Sequence, residues 1–377
     1  MKQKTVLIAG GDGYLGYPLC LYLTKKGYKV VSVDNLSRRE WVTEIGSHSA
    51  IPIEDRDYDW ETVYIDITKY DTISSILRTY MPDVIIHLAE QPSAPFSMID
   101  VRHAVFTHEN NVNGTLNVIW AMKEYCPNAV LIKLGSMGEW GCPNIDIPEG
   151  FFEIEYRGRK DTLPFPRQAP SYYHQTKVHD SNNIMFACKI WGLKSIDIMQ
   201  GPVYGSMIDE VDSEHKTRYD FDAVFGTVLN RFCAQAVIDY PLTVYGKGEQ
   251  IRGYININDS MRCIELCINQ SLEKGEYRVI NQWTEKFTIN ELAELVKQES
   301  KQIGFKVRIN HIDNPRVEKE EHYYNPDHQK IYDMGLKPRK LKGIIIPTLK
   351  DLLQYKDRIE QKKDFILPTI DWKKGRL

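Results

Sequence analysis

The sequence predicts an α/β protein: a doubly wound parallel sheet with a smaller C-terminal substrate-binding domain. Three observations carry the prediction. Short apolar runs at 5–9, 29–33, 62–65, 83–87, 129–134 and 195–200 alternate with amphipathic stretches at 14–26, 70–80, 97–125, 171–191 and part of 221–238. Such alternation lays the strands parallel and covers both faces of the sheet with helices. A glycine cluster sits at the junction of the first apolar run and the first amphipathic one. Finally, 377 residues with 42% apolar content suffice for one large domain or two lobes with a full core.

The first strand, Thr5–Ala9, stops at Gly10, Gly13 and Gly16, spaced G-x-x-G-x-x-G. A tight turn after a strand needs φ values that glycine adopts cheaply. The helix that follows turns its free N–H groups and positive dipole end toward an anion, and a pyrophosphate fits there. This is the strand–turn–helix setting of a Rossmann-type dinucleotide site. Tyr14 and Leu15 lie inside the same turn. The second strand ends at Asp34-Asn35. A carboxylate there accepts both ribose hydroxyls and repels a 2′-phosphate, so NAD is expected over NADP.

Residues 36–61 form a charged insertion, read either as a solvated loop or as a lid or interface. Asp66-Ile67 after the third strand is placed to meet the adenine. Leu88 and Ala89, after the fourth strand, lead into small residues that let the backbone approach the second phosphate and ribose. Asn111 sits within a helix despite its low propensity, which suggests a bond near the active site and a place beside the cofactor. Val203, after the sixth strand, completes the expected cofactor contacts.

The chemistry is read from the fifth strand and the helix after it. The strand ends at Gly135-Ser136, and the helix opens with Tyr173 and Lys177, four apart and so on one face. An ammonium beside a phenol stabilises the phenolate and is expected to lower the Tyr173 pKa toward working pH. With the Ser136 hydroxyl on the same oxygen, the trio suits removal of an alcohol proton while NAD oxidises the carbon.

A net charge of −3 gives no reason to expect nucleic acid. No apolar run approaches the ~20 residues of a membrane helix. Residues 1–4 lead straight into the first strand, so a cytoplasmic or already processed protein is expected. The seven cysteines are scattered, without the spacing of a disulfide framework or zinc set, so no metal is expected.

These motifs, with residues 242–255 (LTVYGKGEQIRGYI), identify the chain as resembling the extended short-chain dehydrogenase/reductases that act on nucleotide sugars. It is most similar to the branch that installs a sulfonate on UDP-glucose. That likeness rests on 133–139 (KLGSMGE), 144–147 (NIDI), 161–164 (DTLP), 222–227 (DAVFGT), 314–318 (NPRVE) and 321–325 (EHYYN). The resemblance implies conversion of UDP-glucose and sulfite into UDP-sulfoquinovose. A transient C4 ketone would acidify the C5 proton, the C6 hydroxyl would leave, and sulfite would add at C6.

By the same resemblance Tyr173 is the acid/base at O4, Lys177 its tuner and ribose contact, and Ser136 the hydroxyl partner. Arg252 would pair with the diphosphate, with Arg231, Arg316 and Tyr245 also on the nucleotide. Gln200 would face the hexose and His322 the sugar side. Met137 and Gly138 stand where 4,6-dehydratases of the family carry Asp and Glu, which leaves Glu139 or His174 for the C5 proton and C6 oxygen. Ser136 replaces a threonine usual in that branch, and Pro92 an arginine. The resemblance further implies an NAD domain at 1–200 and a UDP-sugar domain at 201–377, with 276–281 returning to the main sheet. It also implies a homodimer built on helices 97–125 and 171–191. A UDP-sugar 4-epimerase or 4,6-dehydratase is the runner-up, and a non-catalytic NAD-sensing or RNA-binding module a third reading.

Overall fold

A computed structural model describes residues 3–54, 56, 58–210 and 215–376; Asp55 and Asp57 of the charged insertion lie outside them. Seven parallel strands form the central sheet. Five come first in the chain: β1 (Thr5–Ala9), β2 (Lys29–Asp34), β3 (Glu61–Tyr64), β4 (Val84–His87) and β5 (Val130–Ser136). The spatial order is β3-β2-β1-β4-β5, then Lys194–Gln200, then Tyr277–Gln282 at the far edge. Successive strands therefore run outward from β1 in both directions. Ligands settle in the crevice at such a switch point, beyond the carboxyl ends of the strands. The β1 residues Val6 to Ala9 are wholly buried, which is why that segment reads as an unbroken apolar run rather than an alternating one.

The chain after residue 200 builds a second apolar cluster. Helices Val228–Val237, Ile289–Gln302 and Lys342–Leu353 pack Phe232, Leu292, Val296 and Leu349 into it. It abuts the carboxyl end of the main sheet.

Two expected elements differ, and a hairpin is added. The helix expected over 97–125 is broken. It comprises a short 3-10 turn at Phe96–Met98, a helix at Val101–His108 capped by Asp100, a π-turn at Glu109–Asn113 and a helix at Gly114–Tyr125. The π-turn carries Asn110 and Asn111 to the inside, which explains two helix-averse residues there. The helix expected within 221–238 begins only at Val228, because Asp222 takes the Val224 and Phe225 N–H groups into a turn (2.9 and 2.7 Å). An exposed antiparallel hairpin, Phe151–Tyr156 with Arg159–Pro164, was not expected.

The charged insertion is neither loose nor wholly polar. It starts with the helix Ser37–Glu44 and then folds back onto the glycine turn. Asp12 in that turn receives Arg39 (2.9 and 2.8 Å), Arg56 and the Tyr58 hydroxyl (2.9 Å). All seven cysteines are free thiols. Among the described residues no acidic, His or Cys group has a metal-holding arrangement, and no helix is long and apolar enough to cross a membrane.

Candidate active site

The glycine turn is shaped by what it must avoid. Gly10 has φ +92°, and a Cβ on it would come within 2.7 Å of the Leu88 carbonyl carbon. A Cβ on Gly16 would lie 1.9 Å from the Gly10 oxygen. The turn thus packs against both β4 and the first helix, Gly16–Lys25, and leaves a bare backbone cradle at that helix's start. This cradle, with Asp34 at the end of β2, fits a pyrophosphate and its ribose. Asp34 already accepts the N–H groups of Asp12 (2.9 Å) and Leu36 (2.7 Å), while burial pushes its pKa up.

One cavity of ≈ 490 Å³ joins the cradle to the ends of β4 and β5 and to the C-terminal unit. Every residue expected at the site lines it except Asp66, Asn111, Glu139 and His322. Asp66 instead closes its own turn, taking the Thr68 N–H (2.9 Å) and hydroxyl (2.7 Å). Asn111 is fully buried by the π-turn and bridges Gln91 (2.7 and 3.1 Å) to Thr176 (2.9 Å), so it positions the loop after β4 instead of touching the cavity. His322 faces Arg252 (2.8 Å) from behind.

Glu139 is the fourth correction. Its carboxylate is wholly buried beneath the site. It takes the Ser136 N–H (3.0 Å), the Ser181 hydroxyl (3.1 Å) and the Arg167 guanidinium, with Lys133 at 3.7 Å. Ser136 and Glu139 form a capping box, a pattern written in the sequence as S-x-x-E. Glu139 therefore holds the end of β5 and does not line the cavity.

Ser136, Tyr173 and Lys177 do converge. All three line the same cavity, and the Ser136 hydroxyl lies close enough to the Tyr173 phenol to favour its ionised form. The helix carrying the pair, Tyr172–Trp191, is capped by Ser171, which accepts the His174 N–H (3.3 Å). Lys177 Nζ lies 5.8 Å from the Tyr173 ring centre, donates to the Leu134 carbonyl (2.5 Å) and pairs with Glu90 (2.6 Å). The expected lowering of the Tyr173 pKa is not found. Burial first, and then the Glu90 charge, push the phenol well above its ordinary value. Glu90 was missed from sequence, although it directly follows Leu88-Ala89.

His174 fills the space that a side chain on Gly138 would need: a Cβ there would meet its Nε2 at 2.2 Å. The ring leans on Tyr173 (4.8 Å between centres) and bonds Ser171 Oγ through Nδ1 (2.8 Å). Burial, followed by Arg316, Arg252 and Lys177, drives its pKa down to about 3, so the imidazole is neutral.

The arginines divide into two kinds. Arg252 is already matched by Glu318 (2.6 Å). Arg231 and Arg316 have no carboxylate within ion-pair reach among the described residues; both sit over the Tyr245 ring (4.4 and 6.0 Å). Arg231 is almost wholly buried, with its Nε lacking a partner. A buried guanidinium without a counter-ion is costly, and Arg231 together with the half-buried Arg316 facing one cavity makes a site for a dianion such as a diphosphate. Gln200 is tied to Gln282 (2.7 Å) and Ser260 (2.9 Å) and lines the wall near them. Cavity residues that sequence reasoning missed include Arg38, stacked on Phe225 (3.6 Å), and Trp372.

A family model described as the NAD dependent epimerase/dehydratase family matches residues 6–281. Among curated proteins, the chain is similar to the chloroplastic UDP-sulfoquinovose synthase of Spinacia oleracea. The two are 47% identical over 386 residues, 99% of this chain and 80% of that protein. It is also similar to the UDP-sulfoquinovose synthase of Sulfolobus acidocaldarius, 45% identical over 383 residues, 98% of each. Among solved structures, UDP-glucose 4-epimerase from Thermotoga maritima with UDP-glucose superposes with a TM-score of 0.73. That match has 20% identity and covers 93% of this chain and 99% of that one.

Proposed function

The chain belongs to the NAD dependent epimerase/dehydratase family and groups there with the UDP-sulfoquinovose synthases, and we propose that it converts UDP-glucose and sulfite into UDP-sulfoquinovose. The observation that carries the reading is a single cavity holding three things at once: the glycine cradle, the Ser136/Tyr173/Lys177 trio and two uncompensated guanidiniums. The cradle and Asp34 would hold NAD, which supplies reversible oxidation at the sugar C4. Arg231 and Arg316 would hold the diphosphate. In this division residues 1–200 bind the dinucleotide and most of 201–377 the UDP-sugar.

Tyr173 takes the proton from O4 when the ketone forms and returns it at the end, with Ser136 bonded to the same oxygen. A neutral imidazole can accept a proton and, as the imidazolium so formed, pass that same proton to a leaving oxygen. With Glu139 locked below the site, His174 is the residue left to move the C5 proton and to assist departure of the C6 oxygen. Met137 and Gly138 carry no proton-transferring group, which weighs against a 4,6-dehydratase.

We infer a homodimer as well. Val101, Val105, Tyr172, Phe186 and Ile190 are exposed on the packed helices Val101–His108 and Tyr172–Trp191, and exposed apolar side chains gathered on two such helices suit an association surface.

The direct test is incubation of the NAD-loaded protein with UDP-glucose and sulfite, followed by mass analysis. UDP-sulfoquinovose is the expected product. Formation of UDP-galactose alone, with or without sulfite, would replace this reading with a 4-epimerase.

A further inference from the structure

The trio has a fourth member that faces the same cavity. Glu90 lies just beyond β4, with its side chain shielded almost completely from water. Oε2 is 2.6 Å from Lys177 Nζ, and Oε1 is 3.8 Å from His87 Nε2. Apart from this pairing, neither oxygen receives a well-aligned hydrogen bond. Exchanging a buried ion pair for apolar residues of the same volume is often neutral or stabilising. Stability alone therefore gives weak grounds for a carboxylate here, and its position against the reacting groups gives stronger ones.

We propose that Glu90 is a positioning residue for the reaction: by holding the Lys177 ammonium, it sets how much of that positive charge reaches the Tyr173 phenol. The inference rests on Tyr173 being the acid/base. Without Glu90, Lys177 would have only the Leu134 carbonyl as a strong partner and its full charge would favour the phenolate. With Glu90, the ammonium is largely neutralised and a second negative charge stands near the phenol. The phenol then stays protonated, and the ionised form has to be drawn out by substrate and cofactor.

The charged surroundings are specific. Tyr173 is faced by Glu90 from the loop after β4, by Lys133 and Ser136 from β5, by Glu139 below, and by Lys177 and His174 from its own helix. Glu90 is faced by Lys177, His87, Lys133 and Asp180. Burial would raise the Glu90 pKa, but Lys177, His87 and Lys133 hold it below its ordinary value, so the charge is present at working pH.

The test is Glu90→Gln, which keeps the shape and removes the charge. Two readouts are compared in the NAD-loaded protein. One is the pH profile of kcat with UDP-glucose and sulfite. The other is the tyrosinate difference absorbance, with Tyr173→Phe subtracted to isolate that phenol. Loss of a nearby like charge should move both the rising limb and the tyrosinate midpoint to lower pH by roughly one unit or more. A lower kcat with both midpoints unmoved would overturn the proposal and leave Glu90 as a support for the fold. If the Gln variant does not fold, Glu90→Asp decides: it lengthens the pair, so the midpoints must move the same way by less, and unmoved midpoints reject the idea. A wild type that makes no product refutes the reading of the reaction, whereas the tyrosinate midpoint still reports on Glu90.

Discussion

His174 illustrates how a side chain's chemistry is set by what surrounds it. Loss of water around the half-buried ring, followed by three nearby cations, makes the charged imidazole unfavourable, and the glycine at 138 gives the ring its place. The ring therefore keeps one lone pair available across the working pH range. His174→Gln should abolish entry of solvent deuterium at the sugar C5 while leaving NAD binding intact; undiminished exchange, followed by mass analysis of recovered UDP-sugar, would remove His174 from that role. Much at this scale was legible. Tyr173 and Lys177 were found because a four-residue spacing on a helix forces them onto one face, and Ser136 because it ends a strand. Glu139 was misjudged although its S-x-x-E pattern with Ser136 is a local signal for a cap. The titration of Tyr173 was beyond reach, since burial acts first and the Glu90 charge second, and only the fold buries the phenol and brings in a carboxylate from a different βα unit.

At the level of elements, the charged insertion is the instructive case. Its composition fits a solvated loop, yet Arg39, Arg56 and Tyr58 converge on one acidic residue of the glycine turn. Periodicity could not find this, because the contacts join an irregular segment to a turn and repeat at no fixed interval. Arg56 also lies over the Tyr17 ring (4.1 Å), so the clamp reaches the first helix. Breaking a buried ion pair from one side leaves the other charge stranded, at a cost of about 3 kcal/mol or more. Asp12→Ala should therefore lower the free energy of unfolding by about that amount and weaken NAD binding, read by equilibrium unfolding and by titration calorimetry. A variant with wild-type stability would mean that the insertion only rests on the turn. The broken helix between β4 and β5 has a similar lesson: helix-averse Asn110 and Asn111 were a visible signal of something, and the π-turn is what they signalled.

For the molecule as a whole, the parallel sheet and the crevice at its carboxyl ends followed from alternation and the switch-point rule, and the cavity lies where that rule puts it. The exposed hairpin was invisible to the same logic, since its second strand is charged and wholly exposed and its first strand half-buries little beyond Phe151 and Phe152. The apolar helix face makes a further expectation. Placing glutamates at Val105 and Phe186 together should turn a dimer into a monomer in light scattering, with each chain still folded; an unchanged mass would assign association to another face. The far edge of the sheet has its own consequence for biogenesis. Its outermost strand, Tyr277–Gln282, is reached only after the polypeptide has left the sheet at Gln200, built part of the second apolar cluster and come back. Until a ribosome has released that late segment, the row of amide and carbonyl groups along Lys194–Gln200 has no neighbour, and such a bare margin invites pairing with other nascent chains. Synthesis of this protein therefore includes an interval of vulnerability that ends only when most of the message has been translated.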